Sequence, residues 1–76
     1  MLRLVGNPEV EARALELIRE AGMPVSIDYV ARRLGVSWQT ARGILLYLTI
    51  KGKLKIMDTT KGPVFALIEE GSRGEK

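Results

Sequence analysis

The chain has 76 residues, a formal net charge of +3, and neither cysteine nor histidine. This length fits one small domain whose core is near the lower limit of what is stable without a disulfide or a metal. The missing residue types exclude disulfides, thiolate zinc sites and nucleophiles that depend on Cys or His, so we expect no enzyme, no metal site and no cofactor.

The first predicted element is a helix that begins at Pro8 and ends before Gly22. Asn7 is suited to cap its N-terminus, and Pro8 fits the first helical position. Val25 is predicted to form a strand-like link after it. Residues 1–7 are predicted to be an arm or an additional strand, since nothing local decides between the two. The predicted buried stripe of the helix consists of Val10, Ala14, Leu17, Ile18 and Ala21.

Two helices joined by a tight turn come next. Ser26 and Ser37 are each placed to cap a helix, and Gly35 is placed to end the first of the two. Because so few residues separate Gly35 from Ser37, the second helix has no room to run antiparallel to the first, and the two must cross steeply. The second helix is predicted over residues 37–51, with its apolar stripe facing the same core as the first.

A hairpin is predicted after Gly52, where the apolar spacing changes from helical to alternating. Leu54 and Ile56 are predicted to point inward, and so are Phe65 and Leu67 of the second strand. The hairpin, over residues 53–64 and beyond, must pack on the helices because an isolated hairpin is unstable in water.

Positive charge is concentrated on the turn, the second helix of the pair and the hairpin. Residues 32–61 contain seven basic residues against Asp58 alone, whereas residues 1–31 carry three basic and five acidic residues. Such a block is typical of a polyanion site. A solvated surface is the alternative interpretation, but the charge coincides with the helical pair, which favours the site.

In this order of elements, with LGVSWQTARGILLYLTIKGKLK at its centre, the chain resembles the winged helix-turn-helix family of DNA-binding domains. The stretch matches a Leu-Gly-Val-Ser turn, a Thr in the next turn, paired aliphatics and a closing Gly before the first wing strand. The resemblance implies an α+β fold over residues 8–69, with three helices and a C-terminal two-stranded β-hairpin wing. Size and basic charge are similar to those of small archaeal winged-helix proteins, and the scarcity of Asn and Gln suggests thermostability.

The resemblance implies a transcriptional regulator or a chromosome-associated protein that binds double-stranded DNA. The N-terminal part of the recognition helix would enter the major groove, where Gln39 and Arg42 suit adenine and guanine edges. The wing would contact the DNA backbone or the minor groove. The residues expected to face DNA are Arg33, Ser37, Trp38, Gln39, Arg42, Gly43, Tyr47, Lys53, Lys55, Thr59, Thr60 and Lys61.

Some of these residues also have structural interpretations. Trp38 covers the core edge or stacks on a base, Arg33 is a phosphate clamp or a solvated helix end, and Ser37 is a cap that can also donate to a phosphate. Gly43, Leu46, Tyr47 and Ile50 are predicted to form an exposed apolar stripe. That stripe favours an alternative function, a winged-helix docking module for proteins in a larger assembly.

The remaining expectations concern oligomerisation and environment. A homodimer is expected because one small winged helix makes few contacts with DNA, and Leu2, Leu4, Val5, Leu46 and Ile50 are spare apolar material. Residues 70–76 are predicted to be a disordered tail. No stretch is long enough to span a bilayer and no signal peptide is evident, which predicts a cytoplasmic protein with no membrane contact. No small-molecule ligand is evident.

Overall fold

The structure, a computed structural model, describes residues 6–68 as an α+β domain. Most of the predicted arm and the whole predicted tail, residues 70–76, lie outside these residues. Within them, the elements in chain order are α1 (Pro8–Ala21), β1 (Val25–Ser26), α2 (Ile27–Leu34), α3 (Trp38–Ile50), β2 (Leu54–Thr59) and β3 (Gly62–Leu67). No helix in this part of the chain is both long and apolar enough to cross a membrane.

The three predicted N-caps are confirmed by their hydrogen bonds. Asn7 Oδ1 accepts from the backbone N–H of Glu9 at 2.9 Å, and Ser26 Oγ accepts from that of Tyr29 at 3.1 Å. Ser37 caps α3, so this helix begins at Trp38 and is slightly shorter than the predicted range. These side chains satisfy N–H groups that no helical carbonyl can reach.

The turn between α2 and α3 is as tight as predicted. Gly35 has a φ of +73°, and its N–H and that of Val36 both donate to the carbonyl of Ala31, at 2.9 and 3.0 Å. A left-handed residue is needed to close the helix in this way, and glycine adopts it without strain. As a result α2 and α3 pack directly against each other.

The strands form one antiparallel sheet in the order β1-β3-β2. The predicted hairpin is confirmed, with Thr59 opposite Gly62 at its tip. The third strand is a correction to the two-stranded prediction, because Val25 and Ser26 pair with Phe65 and Val64. Val25 had been predicted as a strand-like link, but its partner lies far along the chain and no local pattern identifies it.

The core lies between the helices and one face of the sheet. Two predictions about it are wrong. Leu15, rather than Leu17, packs against the core from α1. Ile56 is 44% exposed, although it is in register with buried Phe65, because β2 is an edge strand. The largest fully buried side chains are Phe65, Ile44, Leu45, Leu48, Leu54 and Val30.

Candidate nucleic-acid interface

The first turns of α3 present polar and aromatic side chains to solvent. Gln39 and Arg42 are exposed, and neither side chain forms a hydrogen bond or an ion pair with any residue in the range 6–68. Three-residue spacing places these two on neighbouring positions of the helix surface. Trp38 is 50% exposed. The structure therefore brings these three predicted residues together at one helix end.

Ser37, at the same end, is already engaged within the helix. Its Oγ accepts from the backbone N–H of Thr40 at 3.1 Å and donates to Thr40 Oγ1 at 2.9 Å. Its hydroxyl proton is thus committed to Thr40, and donation to a phosphate requires that bond to break. The Thr40 hydroxyl, which the sequence prediction left out, keeps its own proton and is the better donor at this point.

Arg33 is held in place on α2 by Tyr29. One guanidinium nitrogen, Nη2, donates to the Tyr29 hydroxyl at 3.1 Å, and the guanidinium carbon lies 5.1 Å from the ring centroid. The guanidinium remains exposed, and a planar group fixed in this way keeps free donors for an anion. Tyr29 also lines a groove with Thr59 and Lys61, so α2 and the hairpin tip come together there.

The hairpin presents the predicted basic and hydroxyl residues to solvent. Thr59 shapes the tip: its Oγ1 donates to the carbonyl of Gly62 at 2.6 Å and accepts from the N–H of Lys61 at 3.1 Å. Its hydroxyl proton is therefore bound to the Gly62 carbonyl, whereas a contact with a phosphate would need that proton to be free. Lys53, Lys55, Thr60 and Lys61 are exposed on the hairpin, and so is one acidic residue, Asp58.

Tyr47 lies in a different environment from the other predicted residues. It is half-buried, and Lys51 Nζ lies 5.2 Å from its ring centroid. The same Nζ lies 3.3 Å from Glu11 Oε1, and Glu11 on α1 is only 9% exposed. This side of α3 is thus turned towards α1. Glu11 was not predicted, although its spacing from Ala14 and Ile18 places it on the buried stripe.

The predicted exposed apolar stripe on α3 is wrong for most of its members. Gly43 and Tyr47 are half-buried, and Leu46 packs against the core. Ile50 alone is fully on the surface, at 82% exposure. The helix is buried over a wider arc than its strongest apolar stripe indicates because it contacts α1, α2 and β2 together.

The seven basic residues in the range 32–61 divide into two that form ion pairs and five that do not. Lys51 pairs with Glu11, and Arg32 pairs with Asp28 at 3.3 Å on an exposed surface. The remaining five have no ion-pair partner among residues 6–68. We call them the unpaired cations; they are Arg33, Arg42, Lys53, Lys55 and Lys61.

No protein-family model and no curated protein matches this chain.

Proposed function

We propose that the chain is a winged helix-turn-helix protein that binds double-stranded DNA, with α3 as the recognition helix and the β2–β3 hairpin as the wing. The observation that carries this proposal is the set of unpaired cations. None of them forms an ion pair with a residue in the range 6–68, and their positive potential is suited to a regular polyanion. The three helices and antiparallel sheet are compatible with this family.

In the proposed binding mode, α3 contacts the bases and the hairpin contacts the phosphates. Gln39 and Arg42 approach base edges, because they are exposed near the N-terminus of α3. Lys53, Lys55 and Lys61 contact phosphates, which position the protein and carry little sequence information. Three residues contact phosphates and only two contact bases, so most of the contacts do not depend on sequence. Sequence-tolerant binding of this kind is expected of a chromosome-associated protein or a broadly acting regulator.

The salt dependence of DNA binding tests the proposal. Fluorescence anisotropy of a labelled duplex, with random and genomic sequences, measures affinity at two salt concentrations. With three phosphates contacted, affinity falls roughly 40-fold between about 50 and 200 mM salt. Absence of binding at the lower concentration, or binding that salt does not weaken, contradicts the proposal.

Protein docking is the second candidate function, and the exposure of Ile50 favours it. A docking contact of this kind is apolar, so it depends little on salt. The same titration therefore separates the two functions.

A homodimer is part of the proposal, since two copies double the contacts with DNA. Ile50 is the exposed apolar residue of α3 available for the interface. Sedimentation equilibrium at high micromolar concentration measures the mass, and Ile50→Glu is expected to shift a dimer towards monomer. A monomeric mass for the unmodified chain contradicts the dimer.

A further inference from the structure

A second surface lies away from the recognition helix, around Met23 and Pro24. These residues connect α1 to β1 and line two adjoining grooves, of about 520 and 430 Å³. Both volumes lie within the range of about 300–1,000 Å³ that is usual for ligand-binding clefts. Met23 is 65% exposed, which is unusual for a large apolar side chain that is flanked by depressions on two sides.

The floor of this surface is the outward face of the sheet. Lys55 is opposite Ala66 and Met57 is opposite Val64, so the four side chains share one face, opposite to that of Phe65. Ala66 is too small to fill the space between its neighbours, and the result is a trough. Met23 and Met57 both line the trough. Methionine suits a binding surface, because its flexible thioether adapts to different partners.

The charges at the rim all have one sign. Arg19 and Lys55 line the larger groove and Lys61 lines the smaller one, whereas no acidic residue in the range 6–68 lines either. The acidic residues of α1 lie elsewhere: Glu16 and Glu20 line a separate depression with Leu17. A surface of apolar side chains whose charged neighbours are all cations is complementary to a ligand that combines apolar and acidic groups.

We propose that this surface, which we call the Met23 trough, docks a segment of a partner protein that carries apolar side chains flanked by Asp or Glu. Duplex DNA fits less well, because its phosphates offer nothing to Met23, Met57 and Val64. Lys55 and Lys61 belong both to the trough and to the proposed wing. A docked acidic segment therefore competes with DNA for these two cations and weakens DNA binding.

Selection from a random peptide library, displayed on phage against the immobilised full chain, tests the class of ligand. Enriched peptides are expected to share apolar residues with neighbouring Asp or Glu. Met23→Glu is expected to weaken the best peptide by roughly tenfold or more, whereas Ile56→Glu, the same kind of change at an exposed apolar residue on the opposite face of the sheet, leaves its affinity unchanged.

Two charge reversals on α1, one at the edge of the trough and one away from it, test whether the cations of the trough contribute to binding. Arg19→Glu is expected to weaken the same peptide several-fold, and Arg13→Glu, the same charge reversal on the same helix, is expected to have no effect beyond long-range screening. Thermal melting of each variant shows whether it is folded. Amide shifts in nuclear magnetic resonance are expected to locate the peptide at Val64 and Ala66.

Several results overturn the proposal. Selection that yields no binders, or only basic ones, contradicts the ligand class, and equal binding by the Met23→Glu variant contradicts the location. If a DNA duplex rather than the peptide shifts the Ala66 amide, the trough belongs to the nucleic-acid interface. If the Ala66 amide shifts with protein concentration alone, the occupant is a second copy.

Discussion

Residues 6–31 and residues 32–68 both contain capped helices, yet they differ in the sign and the pairing of their charged side chains. The first range contains five acidic and two basic residues, and the second contains seven basic residues and one acid. The two ranges meet in the ion pair of Glu11 with Lys51, where the carboxylate is almost completely buried. Of the seven cations of the second range, Lys51 thus pairs with a buried carboxylate, Arg32 pairs with Asp28 on the surface, and five have no ion-pair partner among residues 6–68.

The charges that stabilise the fold thus differ in position from those that are proposed to bind DNA. A buried ion-pair partner is costly to remove, because the remaining charge stays without its partner. An exposed lysine without a partner contributes little to the free energy of unfolding. Under the proposed function, replacing the buried ion-pair partner lowers the free energy of unfolding, whereas replacing an unpaired cation lowers the affinity for DNA.

The largest expected effect is on DNA affinity and comes from α3. Replacing Arg42 or Gln39 by Ala is expected to cost about 1–3 kcal/mol of binding free energy on a preferred site and less on random DNA. Both side chains are exposed, so the free energy of unfolding should change by no more than about 0.5 kcal/mol. Anisotropy titrations and urea unfolding measure the two quantities. Equal losses on both DNAs would show that the residues contact only phosphate.

A smaller effect, on stability alone, is expected from the ion pair. Glu11→Ala should lower the free energy of unfolding by about 1–2 kcal/mol, because Lys51 loses its partner but is exposed enough to turn towards water. Glu9→Ala, on the exposed side of the same helix, is the matched control and should change it by less than about 0.5 kcal/mol. An equal loss in both variants would mean that the ion pair contributes nothing specific.

Trp38→Ala distinguishes the two interpretations of the lone tryptophan. Half of the side chain is exposed, so we expect a loss of stability of no more than about 1 kcal/mol, together with weaker DNA binding through lost stacking or packing on the duplex. Urea unfolding and anisotropy on the same samples measure both. Lower stability with unchanged DNA affinity would assign Trp38 to the core edge.

The smallest effect is expected from Tyr29→Phe, which removes only the hydroxyl that holds Arg33. The ring remains for the guanidinium to lie against, so the loss of DNA affinity should be about 0.5 kcal/mol. Arg33→Ala should lose more, since it removes the charge itself. If Tyr29→Phe weakens binding as much as Arg33→Ala, the phenol rather than the guanidinium contacts DNA.

Local chemistry made much of the fold predictable from sequence. Caps at Asn7, Ser26 and Ser37 depend on residues within three positions, and the hairpin depends on an alternating pattern, so both are confirmed. The features of the fold that the sequence left out are non-local. The pairing of β1 with β3 joins distant residues, as does the contact of Glu11 with Lys51.

The candidate site was predictable to a similar degree. Exposure of Gln39 and Arg42 follows from helical spacing, and it is confirmed. The orientation of Tyr47 towards Lys51 and the partial burial of Leu46 depend on how α1 packs across α3, which no pattern within α3 encodes. Likewise, the internal use of the Thr59 hydroxyl follows from the geometry of the tip rather than from its composition.

The central claim is that the cations of the hairpin bind DNA phosphates, whereas those of α1 do not. The most direct test compares two double variants of equal net charge, Lys53→Gln with Lys61→Gln and Arg13→Gln with Arg19→Gln, in the salt dependence of duplex binding. The hairpin variant should flatten the slope of log K against log salt by about 1.8, and the α1 variant should leave it unchanged. Equal slopes in the two variants would contradict the account.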